Sequence, residues 1–165
     1  MGFLDSLSHS WHETIDRHRN RPFLEATMAA CALVAMADGA VSLRDRVRVD
    51  EVLETLEALK VFDPHEGVEA FNHFVQDIES SPREGRDAAL QAMLAETHEH
   101  RESASLLIRV AVAVSRVQGR IPTTEQIEIV RLCGELGVEP ADAGLYASPG
   151  GTDLFDLADG NNDGD

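Results

Sequence analysis

The chain has 165 residues, the length of one domain, and its formal net charge at pH 7 is −16. Because that charge would repel nucleic-acid phosphates, the composition disfavours DNA or RNA binding. Aromatic residues make up 5% of the chain, while Ala, Leu and Val are abundant, which favours helices packed on helices. The acidic balance indicates solubility, and only a local cluster would indicate cation binding or a basic partner.

The N-terminal segment 1–20 is predicted to form an amphipathic helix. Its large apolar residues recur at helical spacing between Phe3 and Ile15. A helix docked on the bundle explains this pattern better than a membrane-surface helix, because acidic residues offset its arginines. The segment lacks the regions of a signal peptide, and the longest uncharged run, 26–37, has twelve residues against about 20 for a membrane span. We therefore expect a soluble, cytoplasmic protein.

Six further helices are predicted within the domain 21–146. Two of them begin with the same start signal, a cap residue followed by proline and, three residues after the cap, glutamate. These signals are Asp63-Pro64-His65-Glu66 and Ser81-Pro82-Arg83-Glu84. The last helix is predicted to be capped by Thr123. The predicted helices are 22–37, 43–59, one from 64 to about 78, one from 82 to about 97, 102–117, and 123–136.

The loop between the second and third helices carries the most specific local pattern. Gly39 is suited to the left-handed turn that ends a helix. Ser42 and Asp45 have the capping-box spacing that starts a new helix. The segment 31–45 is therefore predicted to be a helix end, a tight loop and a helix start.

This pattern recurs at an offset of eighty residues. Asp38-Gly39 aligns with Gln118-Gly119, and Asp45 aligns with Glu125, with apolar residues in register on both sides. We interpret the match as an internal duplication. The predicted fold class is all-α, a compact bundle of about seven helices built from two duplicated helix–loop–helix halves. The acidic tail 147–165 is predicted to be disordered.

Catalytic motifs are absent from the sequence, which contains no GxSxG, P-loop, HExxH, CxxC or dinucleotide fingerprint. Cys31 and Cys133 each lie in an apolar helical pattern, so both are interpreted as small core residues. The polar stretch 96–102 has Glu and His at one-turn spacing, but a solvated face explains it better than zinc. The sequence predicts no enzyme.

The chain resembles the tellurite-resistance TerB family over most of residues 3–146. The resemblance is carried by four stretches, FLEATMAACALVAMADGAVS at 23–42, LEALKVFD at 56–63, LLIRVAVAVSRVQGRI at 106–121 and LGVEPADAGL at 136–145. It implies an all-helical fold with two pseudo-symmetric halves, a role in bacterial tellurite resistance and stress response, and no established enzymatic activity. It also implies protein partners, namely a TerC-type membrane protein and TerD-type proteins, with recruitment to the inner face of the membrane.

The resemblance further implies a metal site in the two equivalent loops. Asp38, Asp45 and Glu125 match acidic positions of the family, whereas Gln118 stands where the family usually has Asp. Oxygen ligands favour Ca²⁺, Mg²⁺ or Mn²⁺ over Zn²⁺. Gln118 weakens such a site, and Arg120 is a candidate competing cation, so binding is expected to be weak or absent.

Two interpretations of the acidic loops remain open. In the first, a non-enzymatic module binds partners and a divalent cation. In the second, the chain is a metal-free interaction scaffold, and the acids only shape a turn and cap helix N-termini, where negative charge is stabilised.

Overall fold

The computed structural model describes residues 20–145, and this part of the chain is all-helical. Its order is α1, described over 20–35, α2 (Leu43–Thr55), a 3₁₀ turn (Glu57–Leu59), α3 (Pro64–Ser80), α4 (Pro82–Glu99), α5 (Ser103–Ser115) and α6 (Thr123–Leu136). The all-α prediction is confirmed, with six α-helices in the described range rather than about seven. The predicted N-terminal helix and the predicted acidic tail lie outside the described residues.

Residues 20–145 contain no β-strand, and their β-type pairing is limited to an isolated antiparallel bridge between Val117 and Arg120. Over the same range, no helix combines the length and the apolar character that crossing a bilayer requires.

Two predicted helix starts are confirmed in atomic detail. The side chain of Ser42 accepts from the Asp45 backbone N–H, and the Asp45 side chain accepts from the Ser42 backbone N–H. Asp63 and Glu66 form the same reciprocal box at the start of α3, where Pro64 is the first helical residue. Each box satisfies backbone donors that the first turn of a helix leaves free.

One predicted helix end and two predicted side-chain caps were wrong. Helix α2 ends at Thr55 rather than 59, because Leu56 takes an extended conformation (φ −76°, ψ 115°) before the 3₁₀ turn. Helix α6 begins at Thr123 itself, after Pro122, so Thr123 does not cap it. Ser81 precedes α4 but makes no capping hydrogen bond with its side chain.

The core is one cluster centred on α1 and α5. In α1 every residue from 23 to 35 except Glu25 is buried, and ten residues of α5 are buried. Because these two helices are apolar nearly all round, the sequence predicts that Leu33, Met36, Val110 and Val114 are buried. Leu33, Val110 and Val114 are at most 1% exposed. Met36 is only partly buried, because it lies just after the end of α1. Both cysteines are buried and free.

Helices α3 and α4 are joined by the single residue Ser81 and pack closely. The two helices approach closely at Gly85, where an added side-chain carbon would overlap the backbone of Asp77 and Ile78. Glycine is required here because α4 rests directly on the backbone of α3.

The bounds of two helix pairs follow the eighty-residue offset. Helix α1 ends at residue 35 and α5 ends at 115, while α2 begins at 43 and α6 at 123. Gly39 and Gly119 both have positive φ, 96° and 76°. The duplication of whole halves stays a prediction.

Candidate acidic site between helices α2 and α6

Asp45 is the buried acid of the first loop. It is the third residue of α2 and is 3% exposed. Its Oδ2 accepts from the Ser42 backbone N–H at 2.8 Å and from the Ser42 hydroxyl at 2.7 Å. Its Oδ1 lies 3.3 Å from Nη2 of Arg44. The helix start therefore fixes the position of this carboxylate.

Glu125 is the corresponding acid of α6 and is also 3% exposed. Its Oε1 accepts from Nη2 of Arg44 at 3.2 Å. Its Oε2 is buried without a hydrogen bond. The Ser115 hydroxyl is near, but it donates to the Ala111 carbonyl at 2.8 Å. Glu125 is thus a buried carboxylate with one oxygen unsatisfied.

Burial is the largest influence on the pKa of Glu125, and it raises that pKa above the ordinary value. The charge of Arg44 acts in the opposite direction, while the charges of Asp45 and Asp38 raise the pKa further. The two predicted loop acids, Asp38 and Asp45, are therefore electrostatic neighbours of Glu125.

Arg44 supplies the positive charge at this site. A single nitrogen, Nη2, contacts both Asp45 and Glu125, and the side chain is 37% exposed. Its Nε is buried without a hydrogen bond. The sequence had pointed to Arg120 as the competing cation, but Arg120 is exposed in the α5–α6 loop.

Asp38 and Gln118 lie at the exposed turns of the two loops. The Asp38 carboxylate accepts from the Ala40 backbone N–H at 3.4 Å and so shapes its own turn. Gln118 has φ 48°, a left-handed conformation. Of the four predicted site residues, the structure places Asp45 and Glu125 on one guanidinium. It leaves Asp38 and Gln118 at the surface.

The arrangement differs from a complete metal shell. Of the four carboxylate oxygens of Asp45 and Glu125, only Oε2 of Glu125 is not engaged by Ser42 or Arg44. In the part of the chain that the structure describes, no three His, Cys, Asp or Glu are grouped to hold a metal ion. Since Ca²⁺ takes six to eight oxygen ligands, the pair does not fit a divalent cation while Arg44 is in place.

Two further acids are buried: Glu128 was not predicted as a site residue, and Glu96 belongs to the stretch 96–102 that was interpreted as a solvated face. Glu128, one turn after Glu125, is 4% exposed and pairs with Nη2 of Arg86 on α4 at 2.7 Å. Glu96 accepts from the Ser103 hydroxyl at 3.1 Å and lies 3.3 Å from Nδ1 of His100. The available signal was the position of Glu128 on the core face of α6, beside Ile129.

The region of the chain that matches known proteins includes all residues of this site. A family model described as "Tellurite resistance protein TerB" matches residues 24–146, which include both loops. The chain belongs to the TerB family. It is 31% identical over 111 residues to a curated protein named "Tellurium resistance protein TerB" from Alcaligenes sp. That alignment covers 67% of this chain and 90% of the relative. No solved structure gives a significant match.

Membership of the TerB family links the chain to tellurite resistance. The family match contains Asp38, Asp45, Gln118 and Glu125, and it contains Arg44 as well. In this TerB-family chain the acid pair of the candidate site is closed by Arg44 of the same chain.

Proposed function

We propose that this TerB-family chain is a non-enzymatic helical module that serves tellurite resistance and stress response by binding protein partners. The observation that supports this proposal is a set of large apolar side chains exposed on α2 and α6. Leu43 is 79% exposed and Val47 48%, one turn apart on α2, and Ile127 is 56% and Val130 42% exposed on α6. Val47 and Ile127 are equivalent under the eighty-residue offset. Both helices start at the acidic site.

The charge of the chain supports a membrane-protein partner. Cytoplasmic loops of integral membrane proteins are rich in Lys and Arg. A net charge of −16 is complementary to such loops, and it is repelled by anionic lipid headgroups. The proposed location is the cytoplasm, with recruitment to the inner face of the membrane by a TerC-type protein, and TerD-type proteins are the second class of partner.

The cysteines support a non-enzymatic role. Burial raises the pKa of the Cys31 thiol to about 12, and it also raises that of Cys133. Since the thiolate is the nucleophile, protonated buried thiols are unsuited to covalent catalysis.

A co-purification experiment tests partner binding. The double variant Val47→Asp/Ile127→Asp should lose binding to a TerC-type protein in detergent, because the apolar contact would be replaced by buried charge. Gln76→Asp, an exposed position on α3, adds a charge elsewhere and should leave binding unchanged. If the double variant binds as well as Gln76→Asp does, the exposed apolar side chains of α2 and α6 are not the binding surface. Binding of the parent to protein-free anionic vesicles at physiological salt would contradict recruitment through a protein.

A second candidate function is weak binding of Ca²⁺, Mg²⁺ or Mn²⁺ at the two loops. Its support is the buried Oε2 of Glu125, which has no hydrogen bond and which a cation would satisfy. Gln118→Asp should tighten binding by adding a charge, and Asp38→Asn should abolish it. Calorimetry on the parent and both variants decides the matter. No binding by the parent or by Gln118→Asp would leave the metal-free scaffold, in which the loops only cap helices.

A further inference from the structure

We propose that Arg44 is the resident cation of the acidic site and that a divalent cation binds there only by displacing it. The inference rests on the cation-binding candidate above and names what controls it. One nitrogen of Arg44 contacts Oδ1 of Asp45 at 3.3 Å and Oε1 of Glu125 at 3.2 Å. Arg44 therefore stands between the two carboxylates that the loops supply.

The acids need a cation at this position. Both carboxylates are almost fully buried, so their charges are poorly screened by water. Each lies within 3.3 Å of the same nitrogen, so removing that nitrogen would leave two facing negative charges. Without Arg44 the repulsion could be relieved by another cation or by a proton on Glu125, whose pKa burial already raises.

The closure by Arg44 is incomplete. Strong arginine–carboxylate pairs use two parallel N–H donors, whereas here one nitrogen is shared by two acids. Nε of Arg44 and Oε2 of Glu125 are both buried without hydrogen bonds. Buried polar atoms without partners carry a desolvation cost that a better-fitting ligand would remove.

Arg44 also has a route out of the site. Its side chain is 37% exposed, whereas the carboxylate-bearing side chains beside it are 4% and 5% exposed. The guanidinium can move into solvent through a change of side-chain rotamer, without unfolding of α2. Once it has left, Oδ1 of Asp45 and Oε1 of Glu125 lose their contact with Arg44, while Oδ2 of Asp45 remains in the helix cap.

The first test removes the arginine. Arg44→Gln should bind Mn²⁺ or Ca²⁺ at least tenfold more tightly than the parent in calorimetry, which corresponds to about 1.4 kcal/mol. Arg46→Gln is the matched control, because Arg46 lies on the same helix but donates to Asn72 of α3. It should bind these cations as the parent does.

The second test is made in chelator, without any cation. The decrease in unfolding temperature of the double variant Arg44→Gln/Glu125→Gln should differ from the sum of the decreases of the two single variants, because the two residues interact directly. The pair Arg46→Gln with Glu125→Gln should be additive. Additive behaviour of Arg44 and Glu125 would show that Arg44 does not close the site.

The outcomes separate this inference from the function on which it rests. If the parent and Arg44→Gln bind a cation with equal affinity, the displacement model is overturned while the cation-binding candidate stands. If neither protein binds Mn²⁺ or Ca²⁺, the cation-binding candidate is removed and the displacement model with it.

Discussion

Substitution of Gly85 tests the close approach of α3 and α4. In Gly85→Ala the new Cβ would overlap the Asp77 carbonyl carbon and the Ile78 amide nitrogen, and it would lie 2.5 Å from the Asp77 carbonyl oxygen. Alanine normally gains about 1 kcal/mol over glycine inside a helix. Overpacking costs roughly 1–3 kcal/mol, and a backbone cannot rotate away as a side chain can. Taking the upper end of this cost, about 3 kcal/mol, and subtracting the gain of about 1 kcal/mol, we expect a net loss of about 2 kcal/mol.

Two other helical glycines provide graded controls. At Gly134 in α6 nothing lies within 4 Å of the added Cβ, so Gly134→Ala should gain up to about 1 kcal/mol. At Gly67 the nearest atoms to the added Cβ belong to the side chain of Leu53, with Cγ at 3.1 Å. Because that side chain can rotate, Gly67→Ala should lose less stability than Gly85→Ala.

The free energy of unfolding of the parent and the three glycine variants is measured by urea unfolding, followed by circular dichroism. Stability should fall in the order Gly134→Ala, parent, Gly67→Ala, Gly85→Ala, with similar dependence on denaturant. A Gly85→Ala protein as stable as the parent would refute the backbone contact and the argument built on it.

Three further expectations concern the core, a cap and the buried acid. Leu33→Ala should cost about 2–5 kcal/mol in urea unfolding, and an unchanged midpoint would show that α1 is not central. Ser42→Ala should cost about 0.5–2 kcal/mol, whereas Ser81→Ala, at a helix start without a side-chain cap, should cost close to nothing in the same assay. Because the folded pKa of Glu125 is raised, its ionisation opposes folding as pH rises from about 4.5 through that pKa. The stability of Glu125→Gln relative to the parent should therefore increase over this window, and a flat or falling difference in pH-dependent unfolding curves would contradict the assignment.

The parts of the fold that depend on short-range chemistry could be predicted from the sequence. The boxes at Ser42 and Asp63 form within four residues, so their spacing could point to them, although the same spacing at Ser81 gives no side-chain cap. The end of α2 could not be found in this way. Leu56 continues the apolar helical pattern, yet it takes an extended conformation that the local pattern does not report.

The candidate site was predictable only in its acids. Asp45 and Glu125 were found from the repeated loop pattern, and the structure brings them to one guanidinium. Arg44 was missed because its partner Glu125 lies 81 residues away. Arg120 had been favoured because it directly follows Gly119 in the second loop, two residues after Gln118. Contacts between distant segments depend on how helices pack, which a local pattern does not specify.

The central pair α1 and α5 has a consequence for how the molecule opens. These two helices are separated by α2, α3 and α4 in the sequence, and their buried residues belong to one cluster. The burial of each helix therefore depends on segments that are distant in the sequence. We expect amide hydrogens of α1 and α5 to exchange with solvent only through global unfolding, with equal protection. Amides on the outer faces of α2 and α6 should exchange earlier, through local fraying near the exposed side chains of Leu43 and Ile127.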